Sequence, residues 1–196
     1  MIRLFESLPE GVTVQGKFYK MDFDFRNVLR MMEIMDDDSI MPEARNYLAL
    51  KCFTKHPRKV NETLKAVQDT LFEKSPAKGE RLTSFEQDAG MIRTAFRQEY
   101  GIDLFRDKLH WLEFNELLNN LPEGSKYEEV ISIRARPIPA ATKYNQGERE
   151  WLLKAKQACA LHLNEREQER KYERDVSAVF AGLMGMIQRE EVNGNG

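Results

Sequence analysis

The sequence predicts a mainly α protein: a small N-terminal β-hairpin packed on a helical core, with a long C-terminal helix. Three observations carry that expectation. Only residues 10–20 alternate β-branched and polar side chains in the manner of strands; apolar residues recur at helical spacing through most of the rest; and no proline interrupts the chain from Gly147 to about Glu191. A length of 196 residues fits one or two domains, and 41% apolar content is enough for one ordinary core. Charged residues reach 32% and mean hydropathy is −0.60, the balance of a chain with a large solvated surface.

The hairpin centres on Gln15-Gly16, where glycine accepts a positive φ without a Cβ clash. Two strands are marginal alone in water, so the hairpin must lean on a helix or on a partner's sheet. Asp22 and Asp24 stand at N-cap positions before Phe25, Val28, Leu29, Met32 and Met35, which share a helical face. Asp36-Asp37-Asp38-Ser39 ends that helix, because three carboxylates oppose its negative dipole end. A second helix starts at Pro42, carries Ala44, Tyr47, Leu48, Leu50, Cys52 and Phe53, and breaks at His56-Pro57. A third, about 59–73, presents Val60, Leu64, Val67, Leu71 and Phe72 as one stripe.

Residues 74–81 form a polar, Pro- and Gly-containing joint. Ser84 and Gln87 have capping-box spacing and open a helix whose buried face is Phe85, Ala89, Ile92, Ala95 and Phe96, with Gly101 as its C′ stop. The next helix is expected over about 106–120, with Leu109, Trp111, Phe114, Leu117 and Leu118 inward. Ser125 and Glu128 repeat the capping box before a short helix that Pro137 and Pro139 terminate. If continuous, the stretch from 147 to 191 would be about 67 Å long. Its start places Trp151, Leu152, Ala155, Ala158, Cys159 and His162 on one side, and its middle is almost wholly charged. Its tip carries the amphipathic stripe Val176, Val179, Phe180, Leu183, Met184 and Ile187. The domains expected are therefore 1–140, with the joint near 74–82, and 141–196.

Chemistry is sparse. Cys52 and Cys159 lack metal or disulfide spacing, and neither His110 nor His162 completes a ligand set, so no cofactor or metal is expected. No phosphate-binding glycine loop or nucleophile elbow occurs, and no enzyme activity is expected. Asp88, Asp103 and Asp107 are best explained as caps and solvated ends. Arg93, Arg97, Arg106, Arg134 and Arg136 could make a basic patch, but neighbouring acids dilute it and the chain carries a net charge of −2, so nucleic acid is not an expected partner. No run of about 18 apolar residues occurs to span a membrane, and the first residues lack the apolar region of a secretory signal, so an intracellular location is expected. Met21, Met31, Met32, Met35 and Met41 could offer adaptable contacts, although burial in a core is the commoner use of methionine. The 176–187 stripe is the expected site of protein interaction, because a charged spacer separates it from the core.

Several blocks together resemble the bacteriophage gene-product-fifteen family of long-tailed siphophages and prophages of Gram-positive bacteria. They are Phe85-x-x-Asp88-Ala89, Ala95-Phe96-x-x-x-Tyr100-Gly101-Ile102-Asp103-Leu104, Leu109-His110-Trp111-x-x-Phe114, Leu117-Leu118-x-x-Leu121-Pro122 and Ile131-x-x-Arg134. Leu8-Pro9-Glu10, the Gly16 turn and Asp24-Phe25-Arg26 agree with the family's opening, and the resemblance covers about residues 1–136. Leu112 departs from an expected second Trp, and the chain beyond about 145 exceeds what the resemblance covers. The resemblance implies structural roles for the motif residues. It also implies a tail-assembly chaperone in the host bacterial cytoplasm, which holds the tape-measure protein soluble while the tail-tube protein polymerises around it, and which acts as a homo-oligomer. The alternatives are a tail or neck component retained in the virion and, more remotely, a DNA-binding accessory protein.

Overall fold

The computed structural model describes residues 7–72 and 81–162, together with Val176. The chain divides into two compact units, Met1–Cys159 and Ala160–Gly196. Every element named below lies in the first unit. In the second, residues 160–162 have no regular structure and Val176 is helical.

The hairpin forms as its sequence dictates. Strand β1 (Gly11–Val14) pairs antiparallel with β2 (Lys17–Lys20), Val14 opposite Lys17 and Gly11 opposite Lys20. Gln15 and Gly16 both adopt positive φ, 50° and 76°, the twist that a two-residue turn needs. Gly11 is required for a different reason. A Cβ there would lie 2.1 Å from the Tyr19 carbonyl oxygen and 2.9 Å from the Phe18 ring. Val12 and Val14 face inward, where α3 (Val60–Leu71) packs on β1, so the hairpin leans on a helix.

Helix α1 (Phe25–Asp36) starts at Asp24, whose carboxylate accepts the Arg26 N–H at 3.0 Å. It buries Phe25, Val28 and Met31; Met32 and Met35 are only partly covered, so the inward stripe is rotated from the one expected. Asp37 ends the helix, its carboxylate taken up by Ser39. Helix α2 (Pro42–Lys51) begins at proline as expected but ends before His56-Pro57, at Cys52. Ala49, Leu50 and Phe53 face the core, whereas Tyr47 and Leu48 are exposed. Helix α3 buries Leu64, Val67 and Leu71, with Thr63 donating to the Arg58 carbonyl.

Two helices start later than their sequence signals. Ser84 does cap, its Oγ accepting the Gln87 N–H at 3.2 Å, but the turn it closes precedes α4 (Ala89–Glu99). The reciprocal carboxylate is Asp88, which accepts the Ser84 N–H at 2.9 Å; Ala89 is consequently exposed. Gly101, at φ 70°, closes α4. Helix α5 (Trp111–Asn119) starts near 111 rather than 106, because Asp103 and Asp107 tie residues 103–107 into a turn. Residues 23–25 and 109–111 then form a bridge, in which Trp111 N–H donates to the Phe23 carbonyl at 2.8 Å and Phe25 N–H to Leu109 at 2.9 Å. Helix α6 (Lys126–Ala135) begins at Ser125, whose Oγ accepts the Glu128 N–H.

Helix α7 (Gln146–Ala158) corrects the continuous C-terminal helix. It stops at Cys159, whose carbonyl is taken at 2.6 Å by Arg134 Nε instead of by a further helical turn. Leu152 is its buried anchor, while Trp151 is 54% exposed and lies off the inward side. The helix packs on α6 within the first unit, so the division falls after Cys159 rather than near 140. The joint at 74–82 lies mostly outside the described residues, which resume at 81.

The core is centred on an aromatic cluster. Phe114 stacks on Phe25 at 4.6 Å and on Phe96 at 5.2 Å between ring centroids, with Trp111 and Phe85 completing its surroundings. Phe114→Ala should cost about 3–5 kcal/mol of unfolding free energy in a urea titration, since no neighbour can fill the space. Gly11→Ala should cost about 1–3 kcal/mol by the same measurement, because the added carbon meets backbone rather than a flexible side chain.

Candidate functional site

The motif residues converge on buried polar contacts, each with a visible partner. Asp88 is 1% exposed, and Arg134 grips it with both terminal nitrogens, Nη1 to Oδ2 at 2.8 Å and Nη2 to Oδ1 at 2.9 Å. The same guanidinium donates to the Leu82 carbonyl at 2.8 Å and to Cys159, and Lys156 donates to the Arg134 carbonyl. One side chain thus ties the segment before α4, helix α6 and the end of α7. Burial pushes the Asp88 carboxyl up, but the hydrogen bonds from Arg134 and Ser84 prevail and hold it below its ordinary value of 3.8. Asp88 is therefore not a solvated end, and Arg134 is no part of a DNA-facing patch.

His110 is the N-cap of α5. Its Nδ1 accepts the Leu112 N–H at 3.1 Å, which leaves Nε2 to donate to the Pro9 carbonyl at 3.1 Å. Both nitrogens are committed to the neutral ring. Burial lowers its pKa from 6.5, against the opposing pull of the Pro9 carbonyl and Glu113. Asp103 makes a third centre: its carboxylate accepts the Phe105 N–H, and Arg93, Arg97 and Arg106 approach to 3.7, 3.8 and 3.9 Å. The Phe105 hydrogen bond leads in holding that carboxyl below its ordinary range. Arg93 also caps the Phe105 ring at 3.9 Å, and Phe105 is 72% exposed. Tyr100, from the same motif, donates to the Leu117 and Asn120 carbonyls and ties α4 to the end of α5; Ile102 and Leu104 pack beneath.

These groups hold the chain in place, and they are not arranged as an acid–base pair or an activated nucleophile. Among the described residues no group of three or more His, Cys, Asp and Glu side chains is placed to hold a metal ion. Nor, among them, is any helix long and apolar enough to cross a membrane. The described residues also present exposed apolar surface. Met41 at the N-cap of α2, and Ala44, Tyr47 and Leu48 along the helix, are exposed. Trp151 and Leu153 flank the buried Leu152 on α7, and Tyr144 stands clear just before it. The sequence groups Tyr47 and Leu48 with Leu50 and Phe53 on one helix, and Trp151 with Leu152 on one side of another, without fixing which of them face the core; the structure turns Tyr47, Leu48 and Trp151 outward. Met21 and Met31 are core residues, and among the described methionines Met41 alone is strongly exposed. Of the interaction stripe, Val176 is helical, and Val179, Phe180, Leu183, Met184 and Ile187 lie outside the described residues.

Comparison with protein families matches residues 4–161 to the family described as Bacteriophage Gp15 protein. The match runs past 136, where the motif blocks end, and takes in α7. Comparison with curated proteins and with solved structures gave no significant match.

Arg134→Met should destabilise the fold by about 3–5 kcal/mol, because it strands a buried carboxylate. Pairing it with Asp88→Leu should recover most of that loss in a double-mutant cycle followed by urea denaturation. Acid should act in two stages. The depressed His110 pKa gives stability that is complete above about pH 6.5 and declines as pH falls through the lower folded value. The depressed Asp24 and Asp88 values give stability lost only below about pH 3.8. Thermal midpoints across pH 3–8 should show both stages, with His110→Asn removing the first.

Proposed function

The chain belongs to the bacteriophage Gp15 protein family, and from that membership we propose that it is a tail-assembly chaperone. It binds the tape-measure protein without covalent chemistry and keeps it soluble in the host cytoplasm until the tail tube encloses it. The family match over residues 4–161 carries this reading. The molecule's surface supports it. A long helical client exposes apolar stripes, and a holdase needs apolar side chains within a charged surface; α2 offers Met41, Tyr47 and Leu48 in that setting, and α7 offers Trp151 and Leu153. The motif residues support a non-enzymatic role, since Asp88, His110 and Asp103 are each engaged in holding the chain. The apolar residues Val176, Val179, Phe180, Leu183, Met184 and Ile187, at helical spacing in the sequence, are the second contact proposed for the client or for a further copy of the chain.

Co-expression with the tape-measure protein tests the proposal. The client should move from the pellet to the soluble fraction and co-purify with this chain. Deletion of residues 174–196 should remove either client rescue or self-association, read by pull-down and by size-exclusion chromatography. Met41→Ser with Leu48→Ser should reduce client recovery by at least half while changing stability by less than about 0.5 kcal/mol, as expected for exposed positions. A client that stays insoluble and unbound would overturn the chaperone role. Detection of the chain in purified particles by mass spectrometry would identify it instead as a retained tail component.

A further inference from the structure

We propose that the loop carrying Phe105 is a self-assembly knob, which docks on the acidic turn between α1 and α2 of a second copy of this chain. The knob is built to stay in place. Asp103 accepts the Phe105 N–H at 3.1 Å and Asp107 accepts the Asp103 N–H at 2.8 Å, while Arg26 donates to the Phe105 and Asp107 carbonyls. The ring they hold is mostly exposed, with the Arg93 guanidinium over one face. Charges around it are sorted by depth. The Asp103 side chain is 16% exposed, whereas those of Arg97 and Arg106 are 65% and 86% exposed, so solvent meets the cations. Their approach to Asp103, at 3.8 and 3.9 Å, is longer than a hydrogen bond and leaves their N–H groups to a second acceptor. An exposed aromatic ring among arginines has the composition of an interface centre.

The chain carries its own complement. Residues 31–44 contain Glu33, Asp36, Asp37, Asp38 and Glu43 and no Lys or Arg. Asp36, Asp37, Asp38 and Glu43 are exposed, and Met41, strongly exposed itself, stands among them in sequence. Arg45 pins this turn as Arg26 pins the other, donating to Asp38 and to the Met35 and Ile40 carbonyls. Three carboxylates at the negative end of a helix dipole are unfavourable, and cations from outside relieve them. Thioether can meet ring while carboxylate meets guanidinium. Arg26, which holds the knob, is the second residue of α1, and Asp36 is its last. Knob and seat therefore lie at opposite ends of that helix, about 15 Å apart along its axis. A loop so held cannot reach the seat of its own molecule, so the contact joins two. The surfaces are unlike, which makes the contact heterologous: each added copy brings a free knob and a free seat, and assembly runs past the dimer. Asp103 and Asp107 beside the arginines weigh against a long polyanion as the occupant.

The inference concerns copies of this chain and does not rest on the client. Met41 is shared with the surface proposed for the client, but the charge variants leave it in place, so the two readings fail separately. Sedimentation velocity of the full chain should show species larger than a dimer that grow with concentration and shrink with added salt. Arg97→Glu with Arg106→Glu, and Asp36→Lys with Glu43→Lys, should each weaken association at least tenfold while circular dichroism shows a folded chain. Phe105→Ser, which alters no charge, should do the same. Mixing then separates assembly from damage. The two charge variants, each unable to pair with itself, should recover the parental assembly in equimolar mixture, because every junction again joins opposite charges. A parent that stays monomeric would overturn the inference and leave Phe105 to an acidic surface on a different protein. Charge variants that assemble as the parent does, through residues 176–187 or elsewhere, or folded variants that fail to reassemble on mixing, would overturn it as well.

Discussion

The ring of Phe114 stacks on Phe25 from α1 and on Phe96 from α4, so three helices meet at a spacing that these rings set. Stacked aromatics tolerate little lateral error, and the segments attached to them inherit that precision. The residue at the start of α5, Trp111, is held on one side by Phe114 and on the other by its indole N–H donating to the Leu71 carbonyl at the end of α3. Through that contact the first three helices and the later ones share one core. The polar devices act at its rim. Arg134 gathers the chain before α4 and after α7, and His110 secures the strand-like approach to α5. Neither could be placed without the aromatic centre, since a buried ion pair contributes little by itself and depends on good geometry.

Much of this architecture was legible in the residues. Gln15-Gly16, Asp24, Pro42, Gly101 and Ser125 announce their roles because each solves a local backbone problem, and the structure uses each of them so. The misplacements share a cause. Ser84 with Gln87, and Asp103, are local capping groups that serve turns as well as helices; Asp88 and Asp107, four residues on from Ser84 and Asp103, complete them. The expectation of one continuous helix beyond 147 had a different origin. No proline interrupts residues 147–191, and the glycines Gly182 and Gly185 lie well past the break; the stop at Cys159 is met by Arg134, distant in sequence and invisible to any local pattern.

Surface against core was harder to read than element type. Helix α2 is apolar over much of its circumference, so its stripe alone could not say which face turns inward; contact with α1 and α3 chose Ala49 and Leu50. Asp88 looked like an ordinary helix-end carboxylate until Arg134, 46 positions away, was seen against it. The chemistry of a buried pair depends on a partner that periodicity cannot supply. The family resemblance did better because its motif blocks record such long-range pairings without explaining them, and Asp88 and Arg134 both stand in those blocks.

The bridge between residues 23–25 and 109–111 has a consequence for how the protein is made. Synthesis delivers the hairpin and the first three helices well before Leu109 and Trp111 leave the ribosome. Until then the backbone at Phe23 and Phe25 lacks its partners, and the indole that joins α3 to the core has not been translated. The N-terminal half is therefore complete in sequence before the ring that stacks on Phe25 and the indole that donates to Leu71 exist, and its side of the shared core closes only with Trp111 and Phe114 in place. A translational pause just before Trp111 would prolong the time that Phe25 spends without its stacking partner, which a pause after Phe114 would not.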